Sequence, residues 1–428
     1  MTLTMIIMLV MLLILMLLGV STAASLGIIS IGTFFIFGQT QNLTMLAQRM
    51  YASSTGITLL AIPFFILMGN IMNKGGISTR LFAFAKALVG HWWGGLAQAS
   101  VVALSIVSGM SGAAVSDAAG VGLVAIPEMK KAGYGSKFPA AIIGAGATLG
   151  PIIPPSIAFV VYSSITGVSV GKLFLAGFPA GFVIMLALMT VIHFVAKKRN
   201  YPRSSRTSLS EIWKAFKDAF LSLMAVVIVL GGMFSGIFTA TEAAVVAALY
   251  AAVLGFFVYK EVKIKDMPQI IWDTIGFSVK VLYIIAIAGF FSYVLMQQRI
   301  PQAAIYALTS LTTNPVLIIL IITFILLLLG CFLEGTAIIL ITTPILMPLL
   351  LSMGYDPLQY GVFLVLLTNI GLLTPPVGMN LYTVTAISGE NMWVIARESI
   401  PYMIALLGVA LLIGFVPEIT TYIPSFIK

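Results

Sequence analysis

Long apolar runs alternate with short polar segments along the whole chain. Runs of about 20 residues can cross the hydrocarbon core of a bilayer as helices. The pattern predicts such helices near 3–20, 22–38, 56–73, 172–196, 221–236, 241–259, 272–297 and 402–416. The chain is therefore expected to be an all-α polytopic membrane protein.

Four further apolar runs are interrupted in the middle. Two contain a polar break, one inside 98–129 and one inside 315–351. The other two, 139–165 and 361–387, each contain a Pro-Pro pair, which interrupts a helix. Broken backbone persists in a membrane only where protein buries it or where it lines a cavity. We therefore expect two re-entrant helical hairpins and two broken transmembrane helices.

The second half of the chain repeats the first at a shift of 221 residues. This shift places Gly109 on Gly330, and residues 154–155 on residues 375–376, without a gap. A chance match of these special residues in register is improbable. The inferred parts are repeat one at 1–198, a cytoplasmic linker at 199–219, and repeat two at 220–428.

Composition agrees with a membrane protein and argues against other classes. The 428 residues are 60% hydrophobic and 8% charged, whereas a soluble domain carries about a quarter charged residues. The mean hydropathy is +1.13. The single cysteine, Cys331, allows no intrachain disulfide. The net charge of +9 comes from basic residues in short loops, so it indicates membrane orientation and not binding of nucleic acid.

The basic residues also predict how the two repeats lie in the bilayer. Excess Lys and Arg mark cytoplasmic loops, and placing Lys130 and Lys131 in the cytoplasm puts most of the 22 basic residues there. Arg49, Lys172 and Arg299 then fall outside. The second hairpin enters from the side opposite to the first, so the repeats are inverted. Inverted repeats with paired broken helices are typical of secondary transporters, whose site lies near the bilayer midplane.

The breaks carry hydroxyl, amide and freed carbonyl groups, which suit a monovalent cation. Ends of half-helices add partial charge, with C-termini favouring a cation and N-termini an anion. The candidate cation ligands of the first half are Ser108, Gly109, Ser111, Ser116, Thr148, Gly150 and Pro151. Those of the second half are Glu334, Gly335, Thr336, Asn369, Gly371 and Thr374. For any single hydroxyl, a bond to its own helix is the competing interpretation.

Asp117 and Glu334 are acids placed within membrane segments. An ionisable residue inside a membrane is a functional candidate by default. The alternative for each acid is a structural bond to backbone amides of its hairpin. Glu334 lies closer to a break than Asp117 does.

Two other classes of function fit parts of the pattern. Residues 109–112, Gly-Met-Ser-Gly, have the form found around the serine of rhomboid-type intramembrane proteases. The partner base would be His193, which lies near a basic helix end, and the repeat counterpart of Ser111 is not a serine. A channel or a stand-alone ion-coupled anion symporter is the other alternative.

Four motifs together resemble the large membrane subunit of TRAP transporters, the tripartite ATP-independent periplasmic transporters. They are residues 62–69 (Ile-Pro-Phe-Phe-Ile-Leu-Met-Gly), 108–112 (Ser-Gly-Met-Ser-Gly), 150–156 (Gly-Pro-Ile-Ile-Pro-Pro-Ser) and 373–379 (Leu-Thr-Pro-Pro-Val-Gly-Met). The resemblance covers essentially the whole chain. A more distant one is to the divalent-anion/sodium symporters.

The resemblance implies uptake of an organic acid, such as a sialic acid or a C4-dicarboxylate, across the bacterial inner membrane. Na⁺ ions are the implied coupling ions, and a transport domain is expected to move as an elevator against a scaffold. The implied partners are a periplasmic binding protein and a small four-helix membrane subunit. Because this chain starts directly at its first helix, the small subunit is expected to be a separate polypeptide. No enzyme activity is expected.

The resemblance also assigns positions in this sequence. One sodium site falls on Ser108, Ser111, Thr148 and Gly150, and the other on Glu334, Thr336, Asn369 and Gly371, with Thr374 nearby. The substrate-binding candidates are Gly112, Asp117, Pro154, Pro155, Pro375 and Pro376. No Lys or Arg is evident at the midplane to pair with a carboxylate, so helix N-termini and hydroxyls are expected to bind it.

Overall fold

A computed structural model describes residues 2–426, and within that range every regular element is a helix. The α-helices of the first half are α1 Thr2–Leu17, α2 Thr22–Ile36, α3 Met45–Ser54, α4 Ala61–Lys74, α5 Ile77–Val89, α6 Gly95–Ser111, α7 Ala114–Lys131, α8 Lys137–Gly146, α9 Ile157–Thr166 and α10 Val170–Lys198. Those of the second half are α11 Leu209–Phe234, α12 Ala240–Val253, α13 Met267–Gln297, α14 Ile300–Leu311, α15 Pro315–Gly330, α16 Gly335–Ser352, α17 Pro357–Gly371, α18 Met379–Ser388, α19 Met392–Phe415 and α20 Glu418–Thr421.

Short 3₁₀ segments and one π-helical turn extend several of these helices. The 3₁₀ segments are Thr40–Thr44, Ile57–Leu60, Ala147–Leu149, Ile264–Asp266 and Pro424–Phe426, and the π-helical turn is Leu254–Val258. Among the described residues, 7 helical stretches are long and apolar enough to cross a membrane. The predicted all-helical membrane fold is confirmed.

Three helices differ from the sequence expectation. The segment 39–54, which lies between the predicted helices 22–38 and 56–73, is mostly helical, because it includes α3, which packs along α13. Helix α11 begins at Leu209, so the amphipathic end of the expected linker continues into the next helix without a break. Helix α19 begins ten residues before the expected 402. Its charged first part stays helical since the mostly buried Glu398 carboxylate pairs with Arg199 and Lys137.

Both hairpins have the expected layout of helix, break and helix. The first break lies between α6 and α7, and the second between α15 and α16. The 221-residue shift places the start of α7 on the start of α16, and the end of α7 on the end of α16. Both Pro-Pro bonds are cis. They lie inside the non-helical stretches, and Ser156 rather than a proline caps the helix that follows the first stretch. The inverted orientation and the repeat boundaries stay predictions.

The helices pack into two groups that meet at the breaks. In one group, α6, α7, α8 and α18 pack together, and α17 packs against α15, α16 and α19. In the other group, α13 packs against α2, α3 and α4, while α4 also packs against α12. Helix α13 contacts α16 of the second hairpin. The candidate site therefore has walls from both groups.

Candidate functional site

The first break is a tight turn seated on the first broken helix. Gly112 ends α6 with a φ of +64°, a left-handed conformation that favours glycine. A Cβ atom at this position would lie 2.6 Å from the Pro155 carbonyl oxygen. Only a residue without a side chain allows so close an approach, so Gly112 positions the break against residues 154–157.

Asp117 ties together the two arms of the first hairpin. It lies in the first turn of α7, where the partial positive charge of the helix N-terminus favours a carboxylate. The Ser108 hydroxyl donates to Asp117 Oδ2 at 3.0 Å, and the Ser111 hydroxyl donates to Asp117 Oδ1. All three residues are buried. The Asp117 carboxylate is therefore bonded to hydroxyl groups of the opposite arm, and not to backbone amides of the hairpin as in the alternative interpretation.

Gly150 brings the broken helix against this carboxylate. A Cβ atom on Gly150 would lie 2.5 Å from Asp117 Oδ2 and 3.0 Å from the Ala113 carbonyl carbon. The nearby Thr148 hydroxyl donates to the Ala145 carbonyl at 2.7 Å, which leaves its oxygen free to act as a ligand. Ser108, Ser111, Asp117 and Gly150 therefore form one buried, oxygen-rich cluster around a carboxylate.

The second break is held by close contact between two glycines. A Cβ atom on Gly330 would lie 2.7 Å from the Gly371 Cα atom. The Val377 and Gly378 amides donate to the Cys331 carbonyl at 3.2 and 3.4 Å. These contacts bring the break and the second broken helix together, as the sequence predicted for the pair.

The side chains of the second half are arranged differently from those of the first. The Asn369 amide nitrogen donates to the Val365 carbonyl at 2.7 Å, which leaves the amide oxygen free to accept or to ligate. The Thr374 hydroxyl, beyond the end of α17, makes a long bond of 3.5 Å to the Ile370 carbonyl. Glu334 occupies the N-cap position of α16, but its side chain makes no capping hydrogen bond. The Glu334 carboxylate therefore does not cap α16.

A cavity of about 200 Å³ joins the two breaks, and we call it the central cavity. Gly112, Ala113 and Pro151 line it from the first half. The predicted residues that line it from the second half are Glu334, Gly335, Thr336 and Asn369. Within the described chain, the residues predicted to bind substrate that do not line the cavity are Asp117, Pro154, Pro155, Pro375 and Pro376.

Lys280 is a residue of the central cavity that the sequence prediction missed. It lies on α13 and lines the cavity together with Glu334, Phe277 and Val281. The expectation that no basic residue lies at the site is therefore wrong. The available signal was a lysine in the middle of a long apolar helix, a position that is costly without a functional or pairing role.

A second cavity of about 190 Å³ adjoins the first through Phe277. Ser111, Ser116 and Asp273 line it. The Ser116 hydroxyl accepts a hydrogen bond of 3.4 Å from Asn73, so it belongs to this side cavity and not to the cluster around Asp117. Asp273, Phe277 and Lys280 follow one face of α13, which places an acid and a base beside the two cavities.

The arrangement around Ser111 gives no support to a protease. The Ser111 hydroxyl donates to Asp117, and no hydrogen bond joins it to a histidine among residues 2–426. The ring of His193 packs edge-on against Phe194, with 5.7 Å between ring centroids.

Comparison with known proteins gives a consistent result over nearly the whole chain. The family model described as "Tripartite ATP-independent periplasmic transporter, DctM component" matches residues 9–419. The chain is 39% identical over 403 residues to the C4-dicarboxylate TRAP transporter large permease protein DctM of Pseudomonas aeruginosa, covering 94% of each chain. It is 37% identical over 392 residues to the sialic acid TRAP transporter large permease protein SiaM of Vibrio cholerae, covering 92% of each.

The fold also resembles a solved transporter structure. The crystal structure of the Alcanivorax borkumensis YdaH transporter aligns with a TM-score of 0.61 at 15% identity, covering 88% of each chain. At this level of identity the likeness concerns the fold alone.

Proposed function

The chain belongs to the DctM component family of tripartite ATP-independent periplasmic transporters, and on that premise we propose that it imports an organic carboxylate by Na⁺ symport. It is a multi-pass protein of the bacterial inner membrane and not an enzyme, since its relatives are transport permeases. In our proposal, a periplasmic binding protein delivers the substrate and a small membrane subunit completes the transporter. The hairpins and broken helices move as an elevator against the remaining helices.

The convergence of both breaks on one cavity is the observation that carries this proposal. Each break lies in close contact with a broken helix, through Gly150 in the first half and Gly371 in the second. Interrupted helices free carbonyl groups, and such carbonyls with helix C-termini coordinate Na⁺ in secondary transporters. The cluster of Ser108, Ser111, Asp117 and Gly150 supplies hard oxygen atoms and one negative charge, which fit a first Na⁺.

A second Na⁺ would be held near Thr336, Asn369, Gly371 and Thr374. The Asn369 amide and the Thr374 hydroxyl donate hydrogen bonds to carbonyl groups of α17, which leaves the side-chain oxygen of each residue free to bind a cation. This second group has no carboxylate as deeply enclosed as Asp117, because Glu334 opens into the central cavity. Backbone carbonyls would therefore supply more of the ligands here than in the first half.

The substrate class follows from the charges at the central cavity. Relatives named for C4-dicarboxylate and for sialic acid share a carboxylate as the common group. Lys280 offers a cation where the carboxylate of the substrate can lie. The two proposed Na⁺ ions, when bound, would add positive charge nearby. Glu334 can accept hydrogen bonds from hydroxyl groups of the same molecule.

Uptake in vesicles tests this function. The chain would be reconstituted with its small subunit, and a loaded binding protein would be added outside with labelled succinate or N-acetylneuraminate. We expect uptake of one of the two only with an inward Na⁺ gradient, and collapse of uptake when that gradient is dissipated. Uptake driven by a proton gradient alone would contradict Na⁺ symport. Uptake without any binding protein would instead identify a stand-alone symporter or a channel.

A further inference from the structure

A further cavity, larger than the two described above, lies apart from the residues used so far. It has a volume of about 900 Å³, and we call it the outer chamber. Its walls come from α3, α9, α10, α11, α12, α13 and α16, so both helix groups contribute. The charge-based topology places Arg49 and Lys172 outside, and Arg49 lines this chamber. On this predicted topology, the chamber opens on the side from which the substrate arrives.

The outer chamber is in line with the central cavity. Three helices line both spaces in the same order along the chain. On α13, Lys280 and Val281 line the central cavity, whereas Ile285 and Ser292 line the chamber. On α9, Ala158 lines the cavity and Ser163 the chamber. The step from Val281 to Ile285 corresponds to about 6 Å of helix axis.

A thin apolar layer separates the two spaces. It consists of Val281 and Ile339 on the cavity side, and Ile285 and Leu340 on the chamber side. Their exposed fractions are 3%, 0%, 2% and 4% respectively. In this conformation the layer closes the central cavity toward the chamber. A solute in the chamber is therefore separated from the central cavity by these side chains alone.

The lining of the chamber is suited to an anion. Arg49 is the one charged side chain among its described lining residues, and they include no acid. The guanidinium lies 4.7 Å from the centroid of the Tyr293 ring, and no carboxylate lies within ion-pair distance of it in residues 2–426. An arginine held on an aromatic ring keeps its planar donors available for a carboxylate.

Hydroxyl groups and helix ends reinforce this character. The hydroxyl-bearing lining residues include Ser53, Thr58 and Ser292. The side-chain hydroxyls of these three make no hydrogen bond to another described residue. Two long helical stretches begin at the chamber, one at Ile57 and one at Val170. Their N-termini carry partial positive charge. The N-terminus of α12 also lies here, but the Glu242 carboxylate caps it and offsets its partial positive charge.

We propose that the outer chamber is a holding site for the carboxylate substrate, in which Arg49 binds the anion before the central cavity receives it. This proposal rests on the proposed function for the identity of the anion. The attraction of anions to the chamber does not depend on which substrate is transported, because it requires only that the chamber is open to the outside and positive in potential. Focused charge in a cleft raises the local concentration of an oppositely charged solute.

A thiol-labelling experiment tests the potential without transport. Ser164→Cys would be introduced into the chamber of the full chain, with Cys331→Ser removing the native thiol. Right-side-out vesicles would be treated with an anionic ethylsulfonate or a cationic trimethylammonium methanethiosulfonate reagent. We expect the ratio of the anionic to the cationic labelling rate at the introduced cysteine to exceed the same ratio for a free thiol in solution. Arg49→Gln should lower this ratio about fivefold.

Controls decide between this proposal and general surface charge. Arg299→Gln removes another outer basic residue that does not line the chamber, and should leave the preference unchanged. Arg49→Lys should retain most of it. Equal reaction of the two reagents in the parent, no effect of Arg49→Gln, or no labelling from outside would each overturn the proposal.

Transport kinetics then test the holding role itself. Arg49→Gln should raise the concentration of loaded binding protein at half-maximal uptake about tenfold, equivalent to about 1.4 kcal/mol. The maximal rate should change little, because Arg49 does not touch the central cavity. A fall in the maximal rate alone would contradict a holding site. If the parent shows no Na⁺-driven uptake, the proposed function fails, while the labelling result still decides whether the chamber attracts anions.

Discussion

The two breaks share a backbone layout but place their acids differently. In the first, Asp117 is enclosed and its carboxylate accepts from Ser108 and Ser111 of the other arm. In the second, Glu334 lines the central cavity opposite Lys280. The 221-residue shift does not superimpose the two acids, because Glu334 falls on Ala113 and Asp117 on Ile338. The two halves share the same order of helix, break and helix, but each half places its acidic side chain differently.

This difference suggests separate tasks for the two acids. An enclosed carboxylate with two hydroxyl donors suits an ion that needs a fixed set of oxygen ligands. A carboxylate at the wall of a cavity, facing a lysine, suits a solute that must enter and leave. The first half would thus contribute mainly ion binding, and the second half both ion and substrate binding.

Asp117→Asn should produce the largest effect. The amide keeps the shape of the side chain but removes the negative charge around which Ser108 and Ser111 are arranged. We expect the Na⁺ concentration at half-maximal uptake to rise about 100-fold, the range expected for loss of a charge-assisted interaction. Asp218→Asn, at an exposed position on α11, is the matched control. Unchanged Na⁺ dependence would show that Asp117 is only a structural tie.

Lys280→Gln should weaken substrate binding and spare the ions. Loss of the cation at the central cavity should raise the half-saturating substrate concentration about 30-fold, with the Na⁺ dependence nearly unchanged. Lys280→Arg should recover part of the loss. Glu334→Gln combined with Lys280→Gln gives a double-mutant cycle, and additive effects would mean that the two side chains do not act on the same molecule.

Gly371→Ala tests the backbone contact of the second break. Its Cβ atom would lie 2.6 Å from the carbonyl carbon of Gly330, so backbone must shift. We expect a loss of about 1–3 kcal/mol of unfolding free energy, as in overpacked cores, measured as a lower unfolding temperature in detergent. Gly408→Ala in α19 is the control, since nothing lies within 4 Å of its Cβ position. Equal behaviour of both variants would contradict the tight contact.

Ser111→Ala should give the smallest change. It removes one of the two hydroxyls that donate to Asp117, and a single hydrogen bond contributes about 1 kcal/mol. The expected rise in half-saturating Na⁺ is about fivefold. Ser105→Ala is the control on the same helix, because its hydroxyl donates to the Val101 carbonyl of its own turn. A larger loss for Ser105→Ala than for Ser111→Ala would contradict this order.

Much of the architecture could be predicted because membrane helices are long and their interruptions are conspicuous. The breaks of both hairpins and both broken helices lie where the Ser, Gly and Pro residues predicted them. The start of α19 could not be predicted, since Glu398 becomes acceptable in a helix only through Arg199 and Lys137, which are distant in sequence. The pairing of hairpin break with broken helix was predicted, but the separation of Asp117 from the central cavity was not.

The sequence by itself determined the membrane class, most of the helical elements, the four interruptions and the family. Local composition decides these features, because a bilayer demands apolar helices and tolerates broken backbone only in special places. The tertiary structure alone decided which polar groups meet. It enclosed Asp117 between two serines, and it placed Lys280 beside Glu334 and Arg49 in a separate chamber. Those meetings depend on how distant helices pack, and no local pattern encodes the distance between two charges on different helices.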